Sequence, residues 1–388
     1  MTTDLDRRRG SPSASPIWRE QLRAWRRVLN VPRVLEAAWR RPATTTPRSS
    51  VLAEGTHALY RYNRSTPAVH REPVLLCYAL VNRPSILDLE PDKSVVRQYL
   101  ARGFEVYLID WGAPSQDDRT FTLEHYVCGF LKKAVDTIAA RHGTPSLHLL
   151  GYCMGGTLST LFAALWPERL KTLTLLAAPI DFSGRSSLLS IWTDPHYFDV
   201  DALVDTYGNC PAWFLQSCFL AMNPVRNLLE KTIAFCDQMD DVRNVETFFA
   251  LERWVNDNIP VAGETFRQFV RSFYQGNALV RGELRLSGAR VELSRIQCPL
   301  LLLTAEHDHL VAPESTEGLR PHVRAREIES KRISAGHVGL VASKRAHETL
   351  WPAVTQWCAE RSTAAAAQNP AFVTNGTRAP AGASAAAP

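Results

Sequence analysis

Leu147-His148-Leu149-Leu150-Gly151-Tyr152-Cys153-Met154-Gly155-Gly156 passes from a short apolar run into a glycine-rich turn, and the chain then continues without a breaker to about Leu165. A short apolar run bounded by turn signals reads as a buried strand, and the stretch after Gly156 reads as a helix. The pattern Gly-x-Cys-x-Gly at such a junction puts Cys153 on a sharp strand-to-helix turn, the elbow that presents a nucleophile, with sulfur where serine is usual. Small residues two before and two after the apex let helix and strand approach closely. The helix N-terminus offers free N–H groups and positive potential to the sulfur, which favours the thiolate. A glycine-rich turn that merely buries a cysteine would read the same way, so the partners matter.

Outward from this junction the chain alternates. Strands are expected at 73–81, 105–110, 147–150, 170–177, 299–304 and about 327–334. Helices are expected at 92–102, at 123–141 (Val127, Leu131, Val135 and Ile138 at helical spacing) and near 343–361. This order predicts an α/β protein with a mostly parallel sheet and helices on both faces; with the elbow, it predicts the α/β-hydrolase fold. The alternation stops over 183–290, which is rich in aromatics and reads as helical, a cap over the carboxyl edge of the sheet where such sheets bind ligands. The expected organisation is a basic N-terminal arm at 1–50, partly disordered with an amphipathic helix. Core segments come next at 51–182 and 291–361, separated by the cap at 183–290, and an alanine-rich disordered tail occupies 362–388.

Of the 388 residues, 45% are hydrophobic and 21% charged, enough to bury a core. The net charge of +5 is unevenly placed. Residues 1–50 hold eleven arginines, no lysine and four acids, so the remaining chain is close to neutral and a body-wide nucleic-acid surface is disfavoured. Trp18, Leu22, Trp25 and Leu29 share one helical face flanked by arginines. Such a helix lies on an anionic interface, docks on a partner helix or packs on its own body, and the sequence leaves these open. Residues 41–50 read as a linker. No apolar run reaches the roughly 18 residues of a membrane span, and Arg7-Arg8-Arg9 leads into no apolar segment, so no signal peptide is expected. The eight cysteines show no C-x-x-C spacing and no zinc pattern, so free thiols in a reducing cytosol are expected.

Chain order supplies the partners for Cys153, since in this fold it runs nucleophile, acid, histidine. Asp308 comes just past the run Leu300-Leu301-Leu302-Leu303, where the acid belongs. His337 comes after the next strand, in the small-residue loop Ser334-Ala335-Gly336-His337-Val338-Gly339. Glu306 is the competing acid, and the strand-end position favours Asp308. His307 and His309 flank the acid, but neighbours in sequence do not easily face each other, so His337 is preferred. Asp110 reads as a loop carboxylate that pairs locally, and His196 as a surface residue. The backbone N–H groups of Met154 and, in the loop after the strand ending near Leu80, of Val81 are the candidates for an oxyanion hole.

A cysteine here has a chemical meaning. Serine suffices for ester hydrolysis. A thiolate exchanges one thioester for another at nearly equal free energy, and the acyl-cysteine stays activated toward a hydroxyl, giving a more stable oxoester. Water competes, so the site must be dry and covered. An esterase or thioesterase of the same fold is the alternative enzyme, and a non-catalytic scaffold anchored by the 17–30 helix is the alternative outside enzymes.

Tyr78 to Pro91 (YALVNRPSILDLEP), Val106 to Gly112 (VYLIDWG), the Cys153 box, Ala178 to Phe182 (APIDF), Leu203 to Asn209 (LVDTYGN), Ala262 to Phe269 (AGETFRQF), Asp308 to Val311 and Gly336 to Gly339 closely resemble polyhydroxyalkanoate synthase catalytic subunits. The resemblance covers about residues 51–360 and includes the cap. In its short length the chain is similar to the class III type, which works with a second, non-catalytic subunit. The resemblance implies an acyltransferase that polymerises (3R)-hydroxyacyl-CoA into polyester with release of CoA. Cys153 would carry the acyl group, His337 would act as base and Asp308 would orient it, with no metal or dissociable cofactor. It implies a homodimer at the surface of cytoplasmic granules. Ala312 stands where the family often has proline, and Ala335 where it often has glycine.

Overall fold

The computed structural model describes residues 46–184, 187–223, 235–237 and 239–365, together with positions 25, 29–32, 34 and 36. Eight strands form one sheet: β1 (Arg48–Glu54), β2 (His57–Tyr62), β3 (Val74–Cys77), β4 (Val106–Asp110), β5 (Leu147–Tyr152), β6 (Leu170–Leu176), β7 (Leu300–Ala305) and β8 (Ile328–Ile333). Their order across the sheet is β1-β2-β4-β3-β5-β6-β7-β8. Only β2 runs against its neighbours; β3, β5, β6, β7 and β8 pair in parallel, with Leu76 beside both Leu108 and Leu150, and Leu302 beside Leu175 and Ser330. β3, β5 and β7 are buried along their whole length. This is why their sequences are continuous apolar runs rather than alternating ones: a parallel strand covered on both faces has no solvent side. Each fully buried leucine contributes roughly 1.5–3 kcal/mol of transfer free energy.

Helices α1 (Val95–Ala101), α2 (Lys132–His142), α3 (Met154–Leu165) and a late helix Trp351–Glu360 accompany the sheet. Ser94 caps α1 by accepting from the Arg97 N–H, and Gly143 closes α2 in the left-handed region at φ 58°. The helix expected over 123–141 opens with a wider π turn at His125–Leu131 before α2 begins. All of α3 is buried, which places the helix that leaves Cys153 at the centre of the molecule.

Between β6 and β7 lie α4 (Val200–Tyr207), α5 (Ala212–Met222), α6 (Val242–Asn256) and α7 (Gly263–Gln268), then a π turn at Phe269–Gln275 and a small hairpin pairing Arg285–Leu286 with Ala289–Arg290. This segment is tied to the sheet layer by polar bonds. Trp254 Nε1 donates to Arg83 O at 2.8 Å, Thr265 Oγ1 to Phe121 O at 2.7 Å, and the Leu123 N–H to Gln268 Oε1 at 2.8 Å. Asn82 and Asn258 form an isolated backbone bridge.

Three expectations need correction. The strand expected over 73–81 ends at Cys77. Tyr78 to Leu80 remain buried, but the chain leaves the sheet and pairs instead with the segment between β6 and β7: Val81 O accepts from Ile259 N at 3.3 Å. The linker expected over 41–50 overlaps β1, which starts at Arg48; before it, buried Thr46 is held by Asp88 through its N–H (3.0 Å) and hydroxyl (2.9 Å). β1 is an edge strand with polar residues, so no apolar run announces it. The expected tail is ordered at its start: Thr363 donates to Glu72 from its N–H (2.7 Å) and hydroxyl (2.8 Å), and Ala365 N donates to Val69 O at 2.9 Å. The helix expected over 17–30 lies mostly outside the described residues. Trp25 and Leu29 are helical and exposed, and Asn30 is buried, donating to Met239 O at 3.0 Å and Asp240 O at 3.1 Å.

Candidate active site

Cys153 sits at the N-cap of α3 with φ 54° and ψ −129°, a conformation rarely adopted by non-glycine residues. Such a residue costs on the order of 1–3 kcal/mol and persists only where its surroundings over-determine it. Here the Cys153 N–H donates to Leu176 O at 2.9 Å, and Gly156 N donates back to Cys153 O at 2.8 Å. The glycines of the motif are explained by contact. A Cβ on Gly155 would lie 2.3 Å from Cys77 O, and one on Gly156 would lie 2.3 Å from the Ala178 Cβ. Ser159 Oγ bonds Gly155 O and Thr157 Oγ1 bonds Pro179 O, both at 2.7 Å, which pins the first turns of α3.

Asp308 lies just after β7 and His337 just after β8, and the structure brings both to the elbow. His337 Nδ1 lies 2.7 Å from Asp308 Oδ2. The other carboxylate oxygen, Oδ1, accepts from the Leu310 and Val311 N–H groups at 2.9 Å each. Both side chains are buried, Asp308 almost wholly. Burial alone pushes the His337 imidazole toward its neutral form. The charges of Asp308 and Cys153, together with hydrogen bonds to both, outweigh it and lift its pKa to about 10.

The rival acid and histidines do not share the Asp308–His337 bond. The Glu306 backbone N–H belongs to the β8 edge, donating to Ile333 O at 2.9 Å, and Asp308 occupies His337 Nδ1. His307 and His309 both line the cavity, with His307 Nε2 3.2 Å from Ser334 Oγ, while the Asp308 carboxylate is bonded to His337. Asp110 accepts from Gly112 N at 3.0 Å, a local loop bond, and His196 is exposed, bonded to Asp194 at 2.9 Å.

Cys153, Met154, Val81 and His337 line one cavity of about 560 Å³, within the range of small-molecule sites. Met154 is the first residue of α3, so its N–H has no acceptor within the helix. The roof is apolar and aromatic: Trp192, Phe214, Phe219, Trp254, Phe266 and Phe269. Burial and the nearby Cys153 push the phenol pKa values of Tyr78 and Tyr274 up, so both stay neutral. Two further features escaped the sequence reading. Tyr152 stacks on the His337 ring, and Tyr274 reaches the cavity from the Phe269–Gln275 π turn. For Tyr152 the motif places the residue beside the nucleophile but does not name its stacking partner. Among the described residues there is no group of three or more His, Cys, Asp or Glu side chains placed to hold a metal ion, and no helix long and apolar enough to cross a membrane.

Residues 72–341 match the family model described as the alpha/beta hydrolase fold. The chain is 42% identical over 333 residues to a "Poly(3-hydroxyalkanoate) polymerase subunit PhaC" of Haloferax mediterranei, covering 86% of this chain and 68% of that protein. It is 38% identical over 320 residues to the PhaC subunit of Thiocystis violacea, covering 82% of this chain and 89% of that one. A crystal structure of Paleococcus ferrophilus monoacylglycerol lipase is similar at a TM-score of 0.47 and 16% identity, over 80% of this chain and 100% of that one. With identity of this level over more than four fifths of its length, the chain belongs to the PhaC subunits of poly(3-hydroxyalkanoate) polymerases, a family of acyltransferases on the alpha/beta hydrolase fold.

Proposed function

We propose that this chain polymerises (3R)-hydroxyacyl-CoA into polyhydroxyalkanoate through a covalent acyl-Cys153 thioester. The observation that supports this reading is the 2.7 Å contact between the Asp308 carboxylate and the His337 imidazole, on the wall of the cavity that Cys153 also lines. The Cys153 thiolate attacks the thioester carbonyl, and the oxyanion that develops is met by the N–H groups of Met154 and Val81. As the tetrahedral adduct collapses, the C–S bond to CoA breaks and the His337 proton goes to the departing CoA sulfur. His337, now neutral, takes the proton of a 3-hydroxyl group. That oxygen attacks the acyl-Cys153 carbonyl, the new ester forms, and the Cys153 thiolate is regenerated beside protonated His337. Asp308 orients the ring and stabilises its cation throughout.

The first step exchanges thioesters at nearly equal free energy, and the second gains the stability of an oxoester. Hydrolysis is the competing loss, and the aromatic roof over 183–290, acting as a cap, keeps water from the acyl-cysteine. The reading extends to a homodimer working with a second, non-catalytic subunit at the surface of cytoplasmic granules.

The test is CoA release from 3-hydroxybutyryl-CoA by the full chain, with and without a candidate second subunit, and mass spectrometry of the product. Polymer formation, lost in Cys153→Ala, supports the proposal. Free hydroxyacid as the product would instead make the chain a thioesterase or esterase, and unchanged CoA release in Cys153→Ala would overturn the cysteine mechanism.

A further inference from the structure

Tyr152 ends β5 and is 1% exposed. Its ring lies nearly parallel to the His337 imidazole, with 5.1 Å between centroids and 24° between planes. Its hydroxyl donates to the His337 backbone carbonyl at 3.1 Å; a carbonyl can only accept, so the direction of this bond is fixed. The phenol itself is wedged. Tyr78 packs against it edge-on at 5.5 Å, and the Tyr78 carbonyl is held by Trp111 Nε1 at 2.9 Å. Burial, with Tyr78, Cys153 and Asp308 nearby, pushes its own ionisation far up, so it stays a neutral donor.

We infer that Tyr152 is a positioning residue for His337: the ring face supports the imidazolium, and the hydroxyl tethers the loop that carries it. Hydrogen bonds to Asp308 and Cys153 hold the two ring nitrogens, but they leave the ring able to tilt about the line that joins them. A stacked aromatic face removes that freedom. It also favours the charged ring, because the electron-rich face attracts a cation, and attracts it more strongly where water is excluded. Favouring the imidazolium favours its partner, the Cys153 thiolate. The inference rests on the reading that Cys153 and His337 are the reacting pair, but not on which acyl group they transfer.

The test therefore uses no substrate at first. The full chain is treated with iodoacetamide across pH, and alkylation is measured on the Cys153 peptide by mass spectrometry, with Cys153→Ala as the blank. Tyr152→Leu is expected to alkylate ~10-fold more slowly near neutrality, with the half-maximal rate moved up by about one pH unit. Tyr152→Phe keeps the ring and is expected to hold the wild-type midpoint. Where Tyr152→Leu fails to fold, Tyr152→Met fills the volume without a ring and carries the same expectation. A ring-less variant that titrates like wild type, or a Tyr152→Phe midpoint that moves as far as that of Tyr152→Leu, would overturn the role of the ring. In CoA release, Tyr152→Phe is expected to lower kcat a few-fold with KM unchanged through loss of the tether, and an unchanged kcat would overturn that part. If the wild-type chain releases no CoA, the polymerase reading fails while the alkylation result still stands or falls alone.

Discussion

Asp308 gives one carboxylate oxygen to His337 Nδ1 at 2.7 Å and commits the other to two backbone N–H groups, so the carboxylate cannot turn without breaking two further bonds. It therefore sets the tautomer of His337 as well as its charge. Asp308→Asn keeps the volume but removes the charge that favours a donor at Nδ1. CoA release is expected to fall by ~10³–10⁴-fold, as when an orienting acid loses its charge, and the thermal midpoint at neutral pH is expected to fall too, because the buried His337 cation loses its charged partner. Steady-state kinetics beside a melting curve would check both halves; activity within tenfold of wild type would contradict the role of Asp308.

A second prediction concerns alkaline pH. His337 has a folded pKa of about 10 against an ordinary value of 6.5. A group raised on folding contributes stability that is full below 6.5 and is lost as pH rises through about 10. The wild-type thermal midpoint should fall over that window. His337→Gln should show a shallower fall, and melting curves collected from pH 6 to 10.5 on both proteins would test it.

The opposite sign applies to His148, which lies wholly buried between Thr172 Oγ1 (2.8 Å) and Ser362 Oγ (2.9 Å). Burial, the largest influence, pushes its pKa down to about 3. The unfolded chain then takes up a proton below 6.5 that the folded chain refuses. Stability supported by neutral His148 should decline as pH falls from 6.5 toward 3. His148→Gln is expected to lower stability at neutral pH yet flatten this acid limb; an unchanged limb would sink the assignment.

The elbow glycines give a test of packing. Gly156→Ala meets the Ala178 side chain, whereas Gly155→Ala meets the main-chain carbonyls of Cys77 and Tyr78. Both should destabilise, by roughly 1–3 kcal/mol or more for overpacking. Only the first should be relieved by a second change, Ala178→Gly. A double-mutant cycle by denaturant unfolding would show positive coupling for Gly156 with Ala178 and none for Gly155 with Ala178.

Much of this site could be read from the chain because its chemistry coincides with strand ends. Leu147 to Tyr152 and Leu300 to Ala305 are apolar runs, and each gives way to a turn that carries an unusual residue: Cys153 after one, Asp308 after the other. The features that escaped reading did so for physical reasons. Tyr78 to Val81 continue the apolar run of β3, but Tyr78, Ala79 and Val81 line the cavity, and hydrophobicity does not distinguish burial in a sheet from burial at a cavity wall. β1 lies at the sheet edge with Arg48, Ser49 and Ser50 at its start, so its partner β2 selects it rather than its own composition. The stacking of Tyr152 on His337 depends on a loop nearly two hundred residues away folding back, which no local pattern encodes.

The bond from Ile259 to Val81 and the bridge between Asn82 and Asn258 stitch the loop facing the sulfur directly to the helical roof. On the proposed oxyanion role of the Val81 N–H, access and chemistry are geared together: any movement of that part of the roof would carry with it the main chain that holds the carbonyl, so loading and reaction would belong to separate moments of the cycle.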